Sequence, residues 1–221
     1  MLLVRDGWQV TGTTRSEDRA AALRLIGVDP VIVDVFDETA LHKAVASAVP
    51  GIVMHQLTDL PPGLDPAKMA EALPRNARLR EEGTRHLVAA AIAAGATRII
   101  AQSVAFAYAP GATPYREESP LNLEAAEPAR TSARGVASLE RQVLEAPLES
   151  VVLRYGRLYG PGTGFEDRKE GAKLHVDAAA DAARRALTRG RGVYNIAEDD
   201  GTVSSAKAEA ELEWRADFRI E

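Results

Sequence analysis

Ser103 is the residue whose type and setting first suggest chemistry. The apolar run Ile99 to Ala101 leads straight into Gln102-Ser103, and such a run reads as a strand buried on both faces. Before it, Gly83 to Gly95 is rich in helix formers and ends on a glycine suited to a C-cap. Helix, glycine, buried strand and then small polar residues is the unit of open parallel sheets, whose ligands sit just beyond the strand ends. A hydroxyl at that point can touch a ligand; its competing reading is a buried serine bonded to backbone. The four histidines, His42, His55, His86 and His175, have no metal-ligand spacing, which argues against a metalloenzyme.

The elements that must position Ser103 follow from pattern. Trp8 to Thr14 alternates as a strand, Ser16 caps a helix through about Leu25, and Val31 to Asp34 is a second strand. A helix from Asp37 ends at Pro50-Gly51, and Ile52 to His55 is a third strand. This β-α-β-α-β rhythm, with strands too apolar for a one-sided sheet, predicts parallel pairing with helices on both faces. Proline-rich Leu60 to Pro66 predicts an irregular stretch from Thr58 to Leu73. Beyond the central strand come a helix over Thr131 to Glu145, a strand over Val151 to Arg154, a helix over Val176 to Leu187, a strand over Val193 to Ile196 and a helix over Ser204 to Leu212.

Bulk properties narrow the class. The chain has 221 residues, enough for one substantial core with a small appendage, and a formal charge of -5, which gives no footprint for nucleic acid. No apolar run is long enough to span a membrane. The absence of cysteine excludes disulfides and thiol chemistry and fits a cytoplasmic location.

Several motifs, in order, resemble the extended short-chain dehydrogenase/reductase family, the NAD(P)-dependent epimerases and dehydratases. They are Thr13-Thr14-Arg15, Val33 to Asp37, Val53 to Leu57, Glu82-Gly83-Thr84 and Leu153 to Pro161, with His175 to Asp177 and Tyr194-Asn195 resembling its carboxyl-terminal lobe. The resemblance implies a Rossmann-like, doubly wound α/β parallel sheet over residues 1–160 and a small substrate lobe over 161–221. It also implies a nicotinamide dinucleotide cofactor. Thr14, Arg15 and Ser16 fall where the family meets the adenosine ribose, and an arginine fork with two hydroxyls favours the 2'-phosphate of NADP over NAD; the competing reading is a solvated arginine. Asp34 and Val35 match the adenine contact, His55, Gln56 and Leu57 the strand end along the ribose and pyrophosphate, and Tyr155 and Gly156 the stretch passing the nicotinamide.

Two departures qualify the resemblance. The family opens with a strand and a glycine-rich turn that holds pyrophosphate, whereas this chain opens with Leu2 to Trp8, which resembles the helix after that turn. The fold is therefore expected to be N-terminally incomplete, with a start upstream of Met1 as the preferred explanation. The family's Tyr-x-x-x-Lys proton relay falls on Ser132 and Val136, aligned through Glu140. Ser103 lies one residue before the position of the family's catalytic hydroxyl, and Tyr108, with Tyr155 and Tyr159, is a substitute proton donor or a packing aromatic. The charged run Phe165 to Lys173 is shorter than the family's substrate lid and reads as a solvated loop.

The expected function is an NAD(P)-dependent oxidoreductase, epimerase or dehydratase-like, acting on a small polar or sugar-derived molecule, with Ser103 and Tyr108 as catalytic candidates. The alternatives are a noncatalytic dinucleotide sensor and an incomplete, inactive chain. The apolar face of the long helix permits a homodimer.

Overall fold

The computed structural model describes residues 1–167 and 171–220. Its elements run α1 (Leu2–Arg5), β1 (Thr11–Thr14), α2 (Glu17–Leu25), β2 (Asp29–Ile32), α3 (Glu38–Ala48), β3 (Ile52–His55), α4 (Pro66–Arg78), α5 (Thr84–Ala93), β4 (Arg98–Val104) and α6 (Ala129–Glu145). They continue with β5 (Glu149–Tyr155), β6 (Arg157–Tyr159), β7 (Lys173–His175), α7 (Val176–Arg185), β8 (Gly192–Ile196) and α8 (Ala206–Leu212). A π-helical turn, Leu79–Gly83, joins α4 to α5. Residues 168–170 of the charged run, and Glu221, lie outside the described residues.

Every pairing between these strands is parallel. The main sheet has the order β3-β4-β5-β8, and alternation along its strands sends side chains to two cores. On one face Ile99 and Ala101 of β4 and Val152 of β5 pack with Leu41, Val45, Leu87, Leu139 and Val143 from α3, α5 and α6. On the other, Ile100, Val151 and Leu153 pack with Ala178 and Ala182 of α7 and with Trp214. Covering both faces is what the apolar composition of β4 and β5 demands. Burying each isoleucine stabilises the fold by roughly 1.5–3 kcal/mol.

Some boundaries move from the sequence reading. The stretch expected to stay irregular to Leu73 becomes helical at Pro66, because proline is tolerated at the first helical position and the Asp65 carboxylate caps the Ala67 amide at 3.1 Å. β1 starts at Thr11 and β2 covers Asp29–Ile32, two residues earlier than the apolar pattern suggests. Pro30 is accommodated there because β2 is an edge strand, paired only with β1. The expected glycine cap is present: Gly95 has φ of 77°, and the Ala96 amide donates to the Ala91 carbonyl at 3.0 Å.

The sheet is also divided. β1 and β2 pair only with each other and share no ladder with β3. Their residues are exposed or half-buried throughout, whereas β4 is buried everywhere except at half-buried Gln102. A cavity of about 360 Å³ on the flank of β2 is lined by Thr11, Val31, Lys43 and Ala48. None of the candidate site residues lines it.

Candidate functional site

The carboxyl ends of β4, β5 and β8 carry one buried polar network, and strand register explains it. Ser103 is paired with Arg154, and Arg154 with Asn195, so three neighbouring strands bring these side chains into line. α6 lays Glu140 across them. The Ser103 Oγ donates to Glu140 Oε1 at 2.6 Å, and Arg154 grips both carboxylate oxygens, Nε to Oε1 at 2.9 Å and Nη2 to Oε2 at 2.7 Å. Arg154 Nη1 donates to the Tyr108 hydroxyl at 2.9 Å, which donates to Asn195 Oδ1 at 2.5 Å. Ser103 and Tyr108 thus belong to one network, and Ser103 is bonded to a carboxylate rather than to backbone.

The electrostatics of that network favour fixed charges. Burial acts to lower the Arg154 pKa, but the bonds and charge of Glu140 and the Tyr108 phenol outweigh it, holding the guanidinium above its ordinary value. Burial raises the Tyr108 pKa, with Arg154 pulling the other way. Tyr108 is therefore a neutral phenol near pH 7, able to donate a proton but not poised as an oxyanion.

A second group lies at the end of β3, between α5 and α6. His55 is buried, its Nε2 2.8 Å from Thr84 Oγ1 and its Nδ1 accepting the Leu57 amide at 3.4 Å. The accepting Nδ1 places the proton on Nε2, which donates to Thr84. Burial, and then the nearby Arg80 cation, lower the His55 pKa to about 4, so the ring is neutral. Arg80, on the π-turn, reaches Ser132 Oγ with Nη1 at 3.4 Å. Burial lowers its pKa to about 10, partly offset by Glu140.

The third group gathers at β1 and β2. Arg15 is exposed and pairs with Asp59 at 3.0 Å, tying the end of β1 to the loop after β3; Asp59 also pairs with Arg75 at 3.3 Å. Ser16 caps α2, and the Thr14 Oγ1 accepts the Ser16 amide at 3.3 Å. The Asp34 carboxylate accepts the Phe36 amide at 3.0 Å, while the buried Val35 gives its carbonyl to His86 Nδ1 at 2.9 Å. The Arg15 side chain is half exposed with one nitrogen on Asp59, and its neighbours in sequence Thr14 and Ser16 carry hydroxyls whose protons these bonds do not use, residue types that fit a phosphate monoester.

The remaining candidates sit between these groups. Gln56 is exposed and in hydrogen-bonding reach of Tyr155, whose phenol donates to the Ala179 carbonyl at 3.2 Å and whose pKa is raised by burial. Leu57 is half-buried against the α3–α5–α6 core. Gly156 is tightly enclosed, since a Cβ there would lie 2.2 Å from the Ala172 carbonyl oxygen.

Sequence reasoning passed over Asp59, Arg80 and Arg154 as site residues. In sequence Arg80 sits among Arg78, Glu81 and Glu82 and looks like part of a solvated helix face. Only the wide π-turn and the approach of α6 turn it inward.

A family model described as NAD(P)H-binding matches residues 1–188. The chain belongs to this NAD(P)H-binding family. Among proteins of similar sequence is the 3-diazoavenalumate denitrifying reductase of a Streptomyces species, 42% identical over 210 residues. The match takes in 94% of this chain, which spans 66% of the length of that relative. Solved structures of similar fold include the UDP-glucose 4-epimerase of Thermotoga maritima with UDP-glucose, with a TM-score of 0.76 and 17% identity over 99% of this chain and 89% of that one. The Bordetella bronchiseptica enzyme WbmG in complex with NAD gives 0.72 and 18% over 99% and 84%. The dTDP-glucose 4,6-dehydratase DesIV of Streptomyces venezuelae, with NAD and TYD bound, gives 0.73 and 17% over 96% and 84%. The Rossmann-like α/β fold expected from the motifs is the fold of this NAD(P)H-binding chain. Among the described residues no helix is long and apolar enough to cross a membrane, and no cluster of three or more His, Asp or Glu could hold a metal ion.

Proposed function

We propose that this chain carries the cofactor-binding part of an NAD(P)H-dependent reductase whose hydride acceptor needs no proton from the protein. The observation that carries this reading is the exchange of the family's tyrosine and lysine for Ser132 and Val136 in a chain that keeps its adenosine-side donors. A serine cannot supply an oxyanion near neutral pH, and valine brings no charge to lower a neighbour's pKa. A carbonyl accepting hydride requires a proton at oxygen; an arenediazonium does not. When bound, the nicotinamide supplies the hydride; a C–H bond forms at the ring carbon, the C–N bond breaks, and dinitrogen leaves with the bonding pair. The 42% identity to a denitrifying reductase of a diazo compound supports this acceptor class.

In this reading Thr14, Arg15 and Ser16 hold the adenosine ribose, with Arg15 favouring the 2'-phosphate of NADP. Asp34 and Val35 meet adenine, His55, Gln56 and Leu57 line the pyrophosphate side, and Tyr155 and Gly156 border the nicotinamide. Ser103, through Glu140 and Arg154, sets the floor of the reaction end, and Tyr108 supplies hydrogen bonding there. Arg15→Ala is expected to weaken NADPH binding by about tenfold, the scale of one charged hydrogen-bonded contact, and to leave NADH unchanged. Equal losses for both cofactors would count against the assignment to NADP. With NADPH deuterated at C4 of the nicotinamide and an arenediazonium as acceptor, deuterium is expected on the ring carbon that lost nitrogen; a product without it would overturn the reaction. NADPH binding with no turnover of any acceptor would instead support the noncatalytic sensor that the vacated tyrosine and lysine positions also suggest.

A further inference from the structure

Arg80 is a charged group beside the reaction end whose hydrogen-bonding capacity is left largely unused among the described residues. A guanidinium has five N–H donors, and among the described residues the Arg80 side chain makes one bond, the long contact to Ser132 Oγ at 3.4 Å. Among the described residues no carboxylate lies within ion-pair distance of it. Glu140 acts on it only through space, being gripped by Arg154 through two bonds at 2.9 and 2.7 Å. The side chain is half-buried, so solvent replaces the missing partners only in part.

The local backbone supports a role for this side chain. Arg80 lies in the π-helical turn Leu79–Gly83, a widened turn that is rare and concentrates at functional sites. Its neighbours Arg78 and Glu82 close on each other at 2.7 Å on the outer surface, and exposed Glu81, the other acid of the turn, forms no ion pair with Arg80 among the described residues. The groups facing it are Ser132 on α6, neutral His55 at the end of β3 and, through space, Glu140, whose charge is already matched by Arg154, so the local charge is positive. A partly desolvated cation of this kind is stabilised by an anion that enters with its own hydrogen-bond acceptors. The planar fork matches a carboxylate in bidentate contact.

We propose that Arg80 anchors a carboxylate of the substrate, with the Ser132 hydroxyl as its second contact, beside α6 and away from the Arg15 end. This rests on the reductase reading for the word substrate, but the anion contact can be tested without turnover. Benzoate, benzamide and inorganic phosphate serve as probes by isothermal titration calorimetry, each with the parent chain and with Arg80→Gln and Arg80→Lys.

Benzoate is expected to bind the parent, benzamide to bind at least tenfold more weakly, Arg80→Gln to lose that difference and Arg80→Lys to keep part of it. NADPH affinity should change less than twofold in either variant. Benzoate bound equally by parent and Arg80→Gln, or not bound by the parent, would overturn the proposal. So would phosphate competing with benzoate together with a tenfold loss of NADPH affinity in Arg80→Gln, since Arg80 would then serve the cofactor. Thermal unfolding of both variants within a few degrees of the parent excludes misfolding as the cause, and Arg80→Lys carries the comparison if Arg80→Gln fails that check. Absent deuterium transfer with intact benzoate discrimination would sink the reductase reading and leave this anion site standing.

Discussion

Glu140 and Arg154 are both nearly inaccessible, with side chains 6% exposed, and each satisfies the other through two hydrogen bonds. Removing one charge from such a pair leaves the other buried without compensation. Glu140→Gln is therefore expected to destabilise the chain by about 3–5 kcal/mol, read from urea unfolding, because it leaves the Arg154 charge uncompensated and turns an amide N–H donor toward one of the Arg154 or Ser103 donors. A double replacement of Glu140 by Gln and Arg154 by Met should lose less than Glu140→Gln alone; a larger loss would show that the pair does not act as one unit. At this same scale His55 is a positioning group. Its ring is neutral, its two nitrogens are occupied, and it holds Thr84 and the Leu57 amide in place.

Elements meet where small residues allow it. Gly135 on α6 faces Ala77 on α4 so closely that a Cβ would lie 3.0 Å from the Ala77 Cα. That contact involves backbone, so the helices must separate to admit even a methyl group. Gly135→Ala is expected to destabilise by about 1–3 kcal/mol despite the better helix propensity of alanine, and to disturb the approach of Ser132 on α6 to Arg80 on the π-turn that continues α4. Calorimetric melting decides the sign: a stabilised variant would mean that α4 and α6 have slack. The same packing explains why α4 starts eight residues before the point where the prolines seemed to permit a helix. Pro66 and capping Asp65 begin a helix whose amphipathic face is already committed to α6.

Across the whole molecule, the parallel strands form two hydrogen-bonded bodies beside the short β6–β7 pair, and the difference in their burial has a dynamic consequence. Amides of β1 and β2 are held by one ladder under little cover, while those of β4 are paired on both sides and packed between helix layers. Hydrogen–deuterium exchange should therefore proceed at least tenfold faster across Thr11–Thr14 than across Arg98–Val104. Equal protection in the two segments would show that β1 and β2 open only with the whole fold. The Arg15–Asp59 ion pair bridges the gap, and exposed pairs of this type contribute little to stability.

Much of this was readable in one dimension because it depends on local pattern. The apolar run at Ile99 to Ala101, the glycine at 95 and the polar residues that follow specify a buried parallel strand and its ligand-facing end without any knowledge of distant residues. The ordered motifs placed Arg15, Asp34 and Tyr155 at strand ends for the same reason. Other features require contacts across long separations in the chain. Whether Ser103 faces substrate or core depends on which helix lies over it, and the fold supplies Glu140, 37 residues away, as its partner. Arg80 is indistinguishable from a solvated arginine until α6 closes over it. Burial and ion pairing belong to three-dimensional neighbourhoods, so only the tertiary structure could decide which charges in this chain are screened by water and which are left to attract a ligand.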